Sequence, residues 1–315
     1  MKARLVIGSR GSKLALWQAE FVRTRIAASS PALDVRVEVL KTSGDVLKDA
    51  PLTVIGGQGA FTKELEQALL DGRIDLAVHS LKDLPTVIPD GLTLAAVAER
   101  EDPRDSLVLP ASAARRDVIS VRGLPPGAVV GTSSPRRRTQ LKHLRPDLVL
   151  KDLRGNIDTR LRKLDTGEFD ALVLAAAGLL RLGLHERIAA CISTDELLPA
   201  VGQGALGLEA RADDERTVRL AAQLDHPPTR AACAAERALL RQFGSGCQVP
   251  VAAYATVFGH ELWLEGLVAD ASGDAILKDS VEGRTRDAEG LGERLGMKLR
   301  ALGASLLLGG EVVGR

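Results

Sequence analysis

Residues 61–83, FTKELEQALLDGRIDLAVHSLKD, contain a helix signal, a strand signal and a polar turn in immediate succession. The helix ends at Gly72, and the short apolar run IDLAVHS after it is typical of a buried strand. The polar residues LKD follow directly. A helix that leads into such a strand predicts one half of a βαβ unit. The apolar residues that share one side of the predicted helix are Phe61, Leu65, Ala68 and Leu69.

The same pattern extends towards the N-terminus. RLVIGS predicts a strand, and KLALWQAEFVRTRIAA after it predicts a helix on which Leu14, Trp17 and Phe21 share a face. VRVEVLK alternates cleanly from Val35 and predicts the next strand. The first hundred residues therefore indicate an α/β unit.

A second α/β unit follows EREDPRDS at 99–106, a charged, proline-containing stretch that is a candidate hinge. GAVVGTSS, DLVLKDLRG and FDALVLAAAG predict strands. PRRRTQLKHL and NIDTRLRKL predict the helices between them, the first with Pro135 near its first position. The architecture repeats, although no short-period sequence repeat is present.

The sequence pattern changes past about residue 225. RAACAAERALLRQFG predicts a helix, and the stretch after it predicts strands with turns at Gly259-His260 and Gly273-Asp274. A final helix is expected over roughly 287–303. These residues predict a small α+β domain.

Composition limits the kind of protein. The 315 residues suffice for two or three domains, and 45% hydrophobic but only 3% aromatic residues indicate a core of Leu, Val, Ile and Ala. With 42 basic and 41 acidic residues the net charge is +1, which argues against a nucleic-acid or membrane-surface binder and makes any anion site local. The first residues lack the long apolar stretch of a signal peptide or membrane span, so we expect a cytoplasmic protein.

Polar residues collect where predicted parallel strands end. SRGS, HSLKD, TSSPRRR, LRGNIDTR and AAAGLLR each follow an apolar strand, and ligands of open α/β sheets bind at such strand ends. The number of arginine and lysine side chains in these segments predicts a ligand with several carboxylates or phosphates, because the guanidinium group of arginine binds these groups bidentately. Arg138, one step along the helix, is expected on a solvated face. The residues expected at the site are Arg10, Ser12, Lys82, Arg136, Arg137, Arg154, Arg160 and Arg181.

Asp83 is the one carboxylate among these cations. It is positioned either to stabilise a cationic intermediate and exchange protons, or to form a salt bridge or helix cap. Lys82 has a rival interpretation as a Schiff-base nucleophile, because neighbouring cations lower the pKa of a lysine.

The three cysteines form no CxxC pair, so neither a disulfide framework nor a zinc site is indicated and no metal is expected. Cys191 and Cys233 lie in apolar or alanine-rich stretches and are interpreted as small core residues. Cys247 lies in the loop GSGCQVP beside Gly244 and Gly246, where a thiol is easily exposed. Such a thiol is a nucleophile or an attachment point.

Two glycine-rich motifs are discounted. GQGALG at 202–207 matches G-x-G-x-x-G but follows no clear strand, so it is a weak dinucleotide signal. IGGQGAF at 55–61 lacks the Lys-Ser/Thr pair of a phosphate loop, and a flexible flap that includes Gln58 and Phe61 fits better.

These motifs together resemble the porphobilinogen deaminase family over nearly the whole chain. The stretches that carry the resemblance are LALWQA, FTKELEQALL, DLAVHSLKDLP, EREDPRDSLV, GTSSPRRRTQL, LRGNIDTRL, LAAAGLLRLGL, LPAVGQGALGLE and GCQVPVAAYA. The chain departs from many relatives at Lys13, Gln58, Leu180 and the Gly-Ser-Gly-Cys loop. None of these departures removes a residue to which a part in the reaction is assigned.

The resemblance implies an α/β fold of two type II periplasmic-binding-protein-like domains with a hinged cleft, plus a small C-terminal α+β domain with an antiparallel sheet. Domain 1 is expected over 1–99 and 201–224, domain 2 over 100–200, and domain 3, with the cofactor loop, over 225–315. A monomer is implied.

The implied activity is that of a transferase in tetrapyrrole (haem) biosynthesis. Four porphobilinogen molecules are joined head to tail with loss of ammonia on a dipyrromethane cofactor, and hydrolysis releases the linear tetrapyrrole hydroxymethylbilane. The cofactor is implied to be attached through a thioether to Cys247, and Asp83 matches the catalytic aspartate. The resemblance implies that the protein has no metal, nucleic-acid or membrane partner.

The resemblance divides the remaining site residues into three groups. Cofactor binding is implied for Ser80, Lys82, Asp83, Ser133, Arg136, Arg137 and Arg154. Substrate binding is implied for Arg10, Ser12, Gln18, Arg154, Arg160 and Arg181. Gln58 and Phe61 match the flap. The sequence leaves two other functions open, a non-catalytic anion-binding module and a Schiff-base enzyme that uses Lys82.

Overall fold

A computed structural model of the chain describes residues 4–41, 62–112, 120–244 and 249–309. The chain divides into two compact units, Met1–Glu101 with Gly204–Arg230, and Asp102–Gln203 with Ala231–Arg315. No helix within the described ranges is both long and apolar enough to span a membrane.

The first unit contains a five-stranded sheet of order β2-β1-β3-β10-β4. β1 runs parallel to β2 and β3, whereas β10 returns from late in the sequence and pairs antiparallel with β3 and β4. The strands are β1 (Arg4–Arg10), β2 (Asp34–Leu40), β3 (Leu76–Ser80), β4 (Leu92–Val97) and β10 (Leu206–Arg211). The helices are α1 (Lys13–Ser29), α2 (Lys63–Leu70) and α6 (Glu215–Ala222).

Helix α1 buries a different face from the aromatic one. Its buried residues include Ala19, Val22 and Ile26, which pack with the strands in one apolar cluster. Trp17 is 37% exposed and stacks on Phe21, with ring centroids 5.5 Å apart. Small and branched residues therefore fit close to the sheet, while Phe21 packs half-buried against the same cluster and Trp17 lies at the surface.

The second unit contains a sheet with the same arrangement, of order β7-β6-β8-β5-β9. β6 is parallel to β7 and β8, and β5 pairs antiparallel with β8 and β9. The strands are β5 (Asp105–Val108), β6 (Val129–Gly131), β7 (Val149–Lys151), β8 (Ala171–Ala175) and β9 (Ile188–Cys191). The helices are α3 (Pro135–Leu144), α4 (Ile157–Asp165) and α5 (Ala176–Arg181).

A small antiparallel sheet of order β11-β12-β13 completes the second unit. Gly259, with φ of +61°, adopts the left-handed conformation in the turn between its first two strands. The elements are α7 (Pro227–Arg241), of which residues 231–241 belong to this unit, β11 (Val251–Phe258), β12 (Glu261–Ala269), β13 (Ile276–Arg284), α8 (Ala288–Ala301) and α9 (Ala304–Leu307).

The α/β class is confirmed, with two five-stranded sheets and one small antiparallel sheet. The sequence analysis missed β5, because its first residues, Asp105 and Ser106, lie in the charged stretch interpreted as a hinge; both are fully buried. The division into three domains and the hinged cleft stay predictions.

Candidate functional site

In the first unit, predicted site residues gather at the ends of β1 and β3. Arg10 ends β1, and Ser12 caps α1, with its Oγ accepting a hydrogen bond of 3.3 Å from the Ala15 N–H. The buried Gln18 donates from Nε2 to Ser80 Oγ at 2.8 Å. The hydroxyls of Ser12 and Ser80 thus accept bonds within the protein and keep their own O–H groups to donate.

Asp83 is an exposed carboxylate on a firmly anchored turn. It ends the single helical turn Leu81–Asp83 that follows β3, where Leu81 is 1% exposed and Leu84 is 4% exposed. Among the described residues none forms an ion pair or hydrogen bond with its carboxylate, and it caps no helix. The salt-bridge and helix-cap alternatives therefore have no support here.

In the second unit, Arg136 and Arg137 share one buried carboxylate. Arg136 Nη1 donates to Asp105 Oδ2 at 2.7 Å, and Arg137 donates to Oδ1 from Nε at 3.0 Å and from Nη2 at 2.7 Å. Asp105 is fully buried, and the two arginines are only 4% and 7% exposed. Two cations against one anion leave a net positive charge in this cluster.

The two arginines of the cluster determine the charge state of Asp105. Burial alone would raise the pKa of Asp105, but the guanidinium groups of Arg136 and Arg137 hold it well below its usual range. Gln203 adds a third donor, with Nε2 3.0 Å from Asp105 Oδ1. The buried Nε of Arg136 has no hydrogen-bond partner in the described part of the chain.

The loops after β6 and β7 bring further predicted residues together. Ser133 Oγ donates to the Leu153 carbonyl at 2.9 Å and accepts from the Leu153 N–H at 2.8 Å. Arg154 is half-buried, and no carboxylate in the described ranges pairs with it. Arg160 Nε donates to the Gly155 carbonyl at 2.7 Å.

Arg181 and Arg138 have contrasting surroundings. Arg181 ends α5 and is 8% exposed, so it is a buried cation like Arg136. The Arg138 side chain is 38% exposed and lies 3.5 Å from Asp152 Oδ1, which confirms its placement on a solvated face.

Cys247, Gln58 and Phe61 lie outside the described residues. Cys233 is buried, as predicted, but Cys191 is only half-buried on β9. Burial still raises the pKa of the Cys191 thiol, which disfavours the reactive thiolate. No group of His, Cys, Asp and Glu in the described ranges is arranged to hold a metal ion.

The glycine motif GQGALG leads into a strand and not into a helix. Its last residues, Leu206 and Gly207, begin β10. A dinucleotide site needs the N-terminus of a helix after the glycines, so the structure excludes that function for this motif.

Sequence reasoning missed the groups that hold the site residues in place. Asp105 lies 31 residues before Arg136, and Gln203 lies 98 residues after Asp105. No spacing pattern connects such distant positions. The one available signal was charge, because two adjacent arginines near the start of a helix require a buried anion if they are not solvated.

Replacing Asp105 with Asn is expected to lower the free energy of unfolding by about 3–5 kcal/mol, because two buried guanidiniums lose their counterion. Urea unfolding of the purified protein measures this. The control is Asp152→Asn, whose carboxylate is 73% exposed and pairs weakly with Arg138; a change under about 0.5 kcal/mol is expected. Equal effects of the two substitutions would contradict a buried charge cluster.

The pH dependence follows from the same cluster. Because the folded-state pKa of Asp105 is lowered, its stabilising contribution is complete above the unfolded-state value of about 3.9 and is lost as pH falls below it. Asp105→Asn should therefore remove part of the acid-induced loss of stability below about pH 4.

A solved structure of a TRAP periplasmic solute binding protein from Desulfovibrio salexigens shows a distant likeness, with 10% sequence identity and a TM-score of 0.42 over 71% of this chain and 73% of that one. A TM-score of this size supports no conclusion about fold or function.

Two family profiles match the sequence. One, described as porphobilinogen deaminase, dipyromethane cofactor binding domain, matches residues 5–219, and the porphobilinogen deaminase C-terminal domain matches residues 230–301. A porphobilinogen deaminase from Chromobacterium violaceum is 53% identical over 305 residues, which are 97% of each chain. Another from Syntrophotalea carbinolica is 50% identical over 304 residues, 96% of this chain and 95% of that protein. The chain belongs to the porphobilinogen deaminase family.

Proposed function

We propose that this chain joins four porphobilinogen molecules head to tail with release of ammonia, on a dipyrromethane primer attached to Cys247, and releases hydroxymethylbilane by hydrolysis. Family membership supports the activity. The observation that carries the site assignment is the buried Arg136–Asp105–Arg137 cluster with its uncompensated positive charge. Each porphobilinogen brings an acetate and a propionate, which are the anions that guanidinium groups bind best.

The residues of the second unit fit the cofactor. Dipyrromethane carries the carboxylates of two substrate units, and the cluster offers a net positive charge and the buried, unpartnered Nε of Arg136. Arg154 adds a half-buried cation that no described carboxylate neutralises. Arg136, Arg137 and Arg154 would hold the cofactor carboxylates, with Ser133, Ser80 and Lys82 assisting. When bound, the cofactor supplies a nucleophilic pyrrole carbon and a covalent attachment for the growing chain.

Asp83 is assigned to the chemical step. Loss of ammonia leaves a cationic methylene-pyrrole of the substrate, and a carboxylate held against the ring N–H group lowers the free energy of that charge. The same carboxylate can accept a proton after the carbon–carbon bond forms. Asp83 is available for both roles because no described residue occupies its carboxylate.

The remaining assignments concern the substrate. Arg10, Ser12, Arg160 and Arg181 would bind porphobilinogen carboxylates. Gln18 is only 2% exposed and donates to Ser80, so its role is to orient that hydroxyl. Gln58 and Phe61 are assigned to a flap. We further propose a three-domain monomer that works in the cytoplasm without a metal, nucleic-acid or membrane partner. The net charge of +1 supports the expectation that it binds neither nucleic acid nor a membrane surface.

The proposal is tested by adding porphobilinogen to the purified protein and measuring ammonia and tetrapyrrole together. We expect one ammonia for each porphobilinogen consumed and one tetrapyrrole for every four. Binding without ammonia release would support an anion-binding module. Borohydride tests whether the chain is instead a Schiff-base enzyme. It would trap substrate on Lys82 if a Schiff base formed, and it leaves Lys82 unmodified otherwise.

Replacing Arg154 with Gln should raise the KM for porphobilinogen or weaken retention of the primer. A charged hydrogen bond of this kind contributes about 1.5–3 kcal/mol, which corresponds to roughly 10- to 150-fold. The matched control is Arg138→Gln, which removes an exposed guanidinium of the same unit and should change KM less than twofold, consistent with the small contribution of exposed pairs. Equal effects would indicate a nonspecific contribution of charge.

A further inference from the structure

His79 and Glu209 form a buried polar pair that has no role in the proposed binding of cofactor or substrate. His79 Nε2 lies 3.1 Å from Glu209 Oε2, and the two side chains are 4% and 0% exposed. His79 is opposite Gly207 in the β3–β10 ladder, and Glu209 is opposite Ala77. The pair is therefore a diagonal contact between the two strands, one residue before β3 ends.

Helix α2 adds a third buried polar group on the same side of the sheet. Glu66 is 8% exposed, and burial raises the pKa of its carboxyl, with the nearby Glu209 raising it further. In the described part of the chain, Glu209 Oε1 is buried without a hydrogen-bond partner. Buried polar groups cost stability when they are unsatisfied, so a purely apolar contact between helix and sheet would be more stable.

The strand end next to this pair leads directly to Asp83. Ser80 accepts the bond from Gln18, and the Leu81 N–H donates to the Ala205 carbonyl at 3.0 Å. Leu81 packs against Gly207, where an added Cβ would lie 2.9 Å from Leu81 Cδ1. Every residue from His79 to Leu81 is thus fixed on β10 or α1.

We propose that His79 is a positioning residue, whose hydrogen bond to Glu209 fixes the end of β3 and thereby the place of the Asp83 carboxylate. The proposal rests on the catalytic role proposed for Asp83. Asp83 has no described partner of its own, so its position depends on the backbone that carries it. A displacement of about 1 Å in a reacting group can lower a rate by about 100-fold.

The competing interpretation is that the pair only contributes stability. Three variants of the holoenzyme separate the two. His79→Phe keeps an aromatic ring but removes the hydrogen bond, and it leaves the Glu209 carboxyl buried without its partner. His79→Gln can still donate to Glu209. The double substitution His79→Phe with Glu209→Leu removes the unpartnered carboxyl as well and should fold stably without the bond between the strands.

We expect kcat of the double variant to fall about 10- to 100-fold with KM changed less than about threefold, while its Tm recovers relative to His79→Phe. His79→Gln should recover most of kcat. Thr217→Val is the control, because it removes a buried hydroxyl of the same unit that donates to Asp214 Oδ2 at 2.7 Å. It should lower Tm and leave kcat unchanged.

A double variant with kcat within threefold of the wild type overturns the proposal, as does a loss of kcat that follows Tm across all four variants. A raised KM with normal kcat also overturns it. Asp83→Asn distinguishes a failure of the catalytic role of Asp83 from a failure of the positioning role of His79. Normal turnover of Asp83→Asn removes the catalytic role itself, whereas low turnover of Asp83→Asn with normal turnover of the His79 variants removes only the positioning role.

Discussion

Serine in place of Cys247 is expected to give a protein with the mass of its encoded polypeptide and turnover reduced more than about 1,000-fold. Attachment keeps the nucleophilic end of the chain beside the bound porphobilinogen, and well-oriented reactions within one complex can gain about 7–11 kcal/mol from positioning. A serine hydroxyl is a far weaker nucleophile than a thiolate at neutral pH, so the primer should not attach. Intact-mass measurement shows the adduct directly, and the wild type should exceed its sequence mass by one dipyrromethane.

The elements on either side of the Cys247 loop are held to each other. Helix α7 ends at Arg241 and β11 begins at Val251. Glu236 on α7 is fully buried, and its carboxylate accepts the Ala255 N–H of β11 at 2.9 Å and the Gly202 N–H at 2.7 Å. An anchor between two fixed ends suits a primer that must return to one place after every condensation.

Cys191→Ser is the matched control for this experiment, because it removes a half-buried thiol of the same unit whose pKa is raised by burial. It should keep both the mass excess and the turnover. A wild-type protein without a mass excess, or an excess that survives Cys247→Ser, would contradict attachment at Cys247.

Local patterns were enough to predict the parallel strands and the polar loops after them. Apolar runs of strand length, each followed by a turn, identify β1, β3 and β6 from a few neighbouring residues. The antiparallel strands β5 and β10 were not assigned. β10 pairs with β3 across more than a hundred positions, and no short-range pattern specifies which strand a distant segment joins.

The arginines of the site could be predicted, but their buried surroundings could not. Arg136 and Arg137 are visible as cations after a strand, whereas their shared counterion, Asp105, looked like part of a charged linker. The same holds for His79, which lies in a predicted strand, and for Glu209, which lies in a segment that was assigned to no element. Sequence shows which groups are placed at a strand end, and only the packed structure shows which groups hold them there.

Asparagine in place of Asp83 is expected to keep the covalent primer and to lower kcat by about 100- to 10,000-fold. The amide has nearly the size of the carboxylate, but it carries no negative charge and cannot accept a proton at neutral pH. Because the charge on the substrate develops mainly in the transition state, kcat should fall while KM changes little. Ammonia release at saturating porphobilinogen and intact mass are the two measurements.

The control for this substitution is Asp90→Asn, an exposed carboxylate in a turn of the same unit. It should leave both mass and turnover unchanged, since it changes the net charge by the same amount at a different place. Turnover of Asp83→Asn within threefold of the wild type would contradict the role of Asp83. Loss of the mass excess in that variant would move Asp83 from the elongation step to the attachment or retention of the primer. We expect the primer to be retained and turnover to be lost. This result requires a proton acceptor that is dispensable for holding the chain and necessary for extending it. Asp83, the exposed carboxylate at the end of β3, meets both conditions.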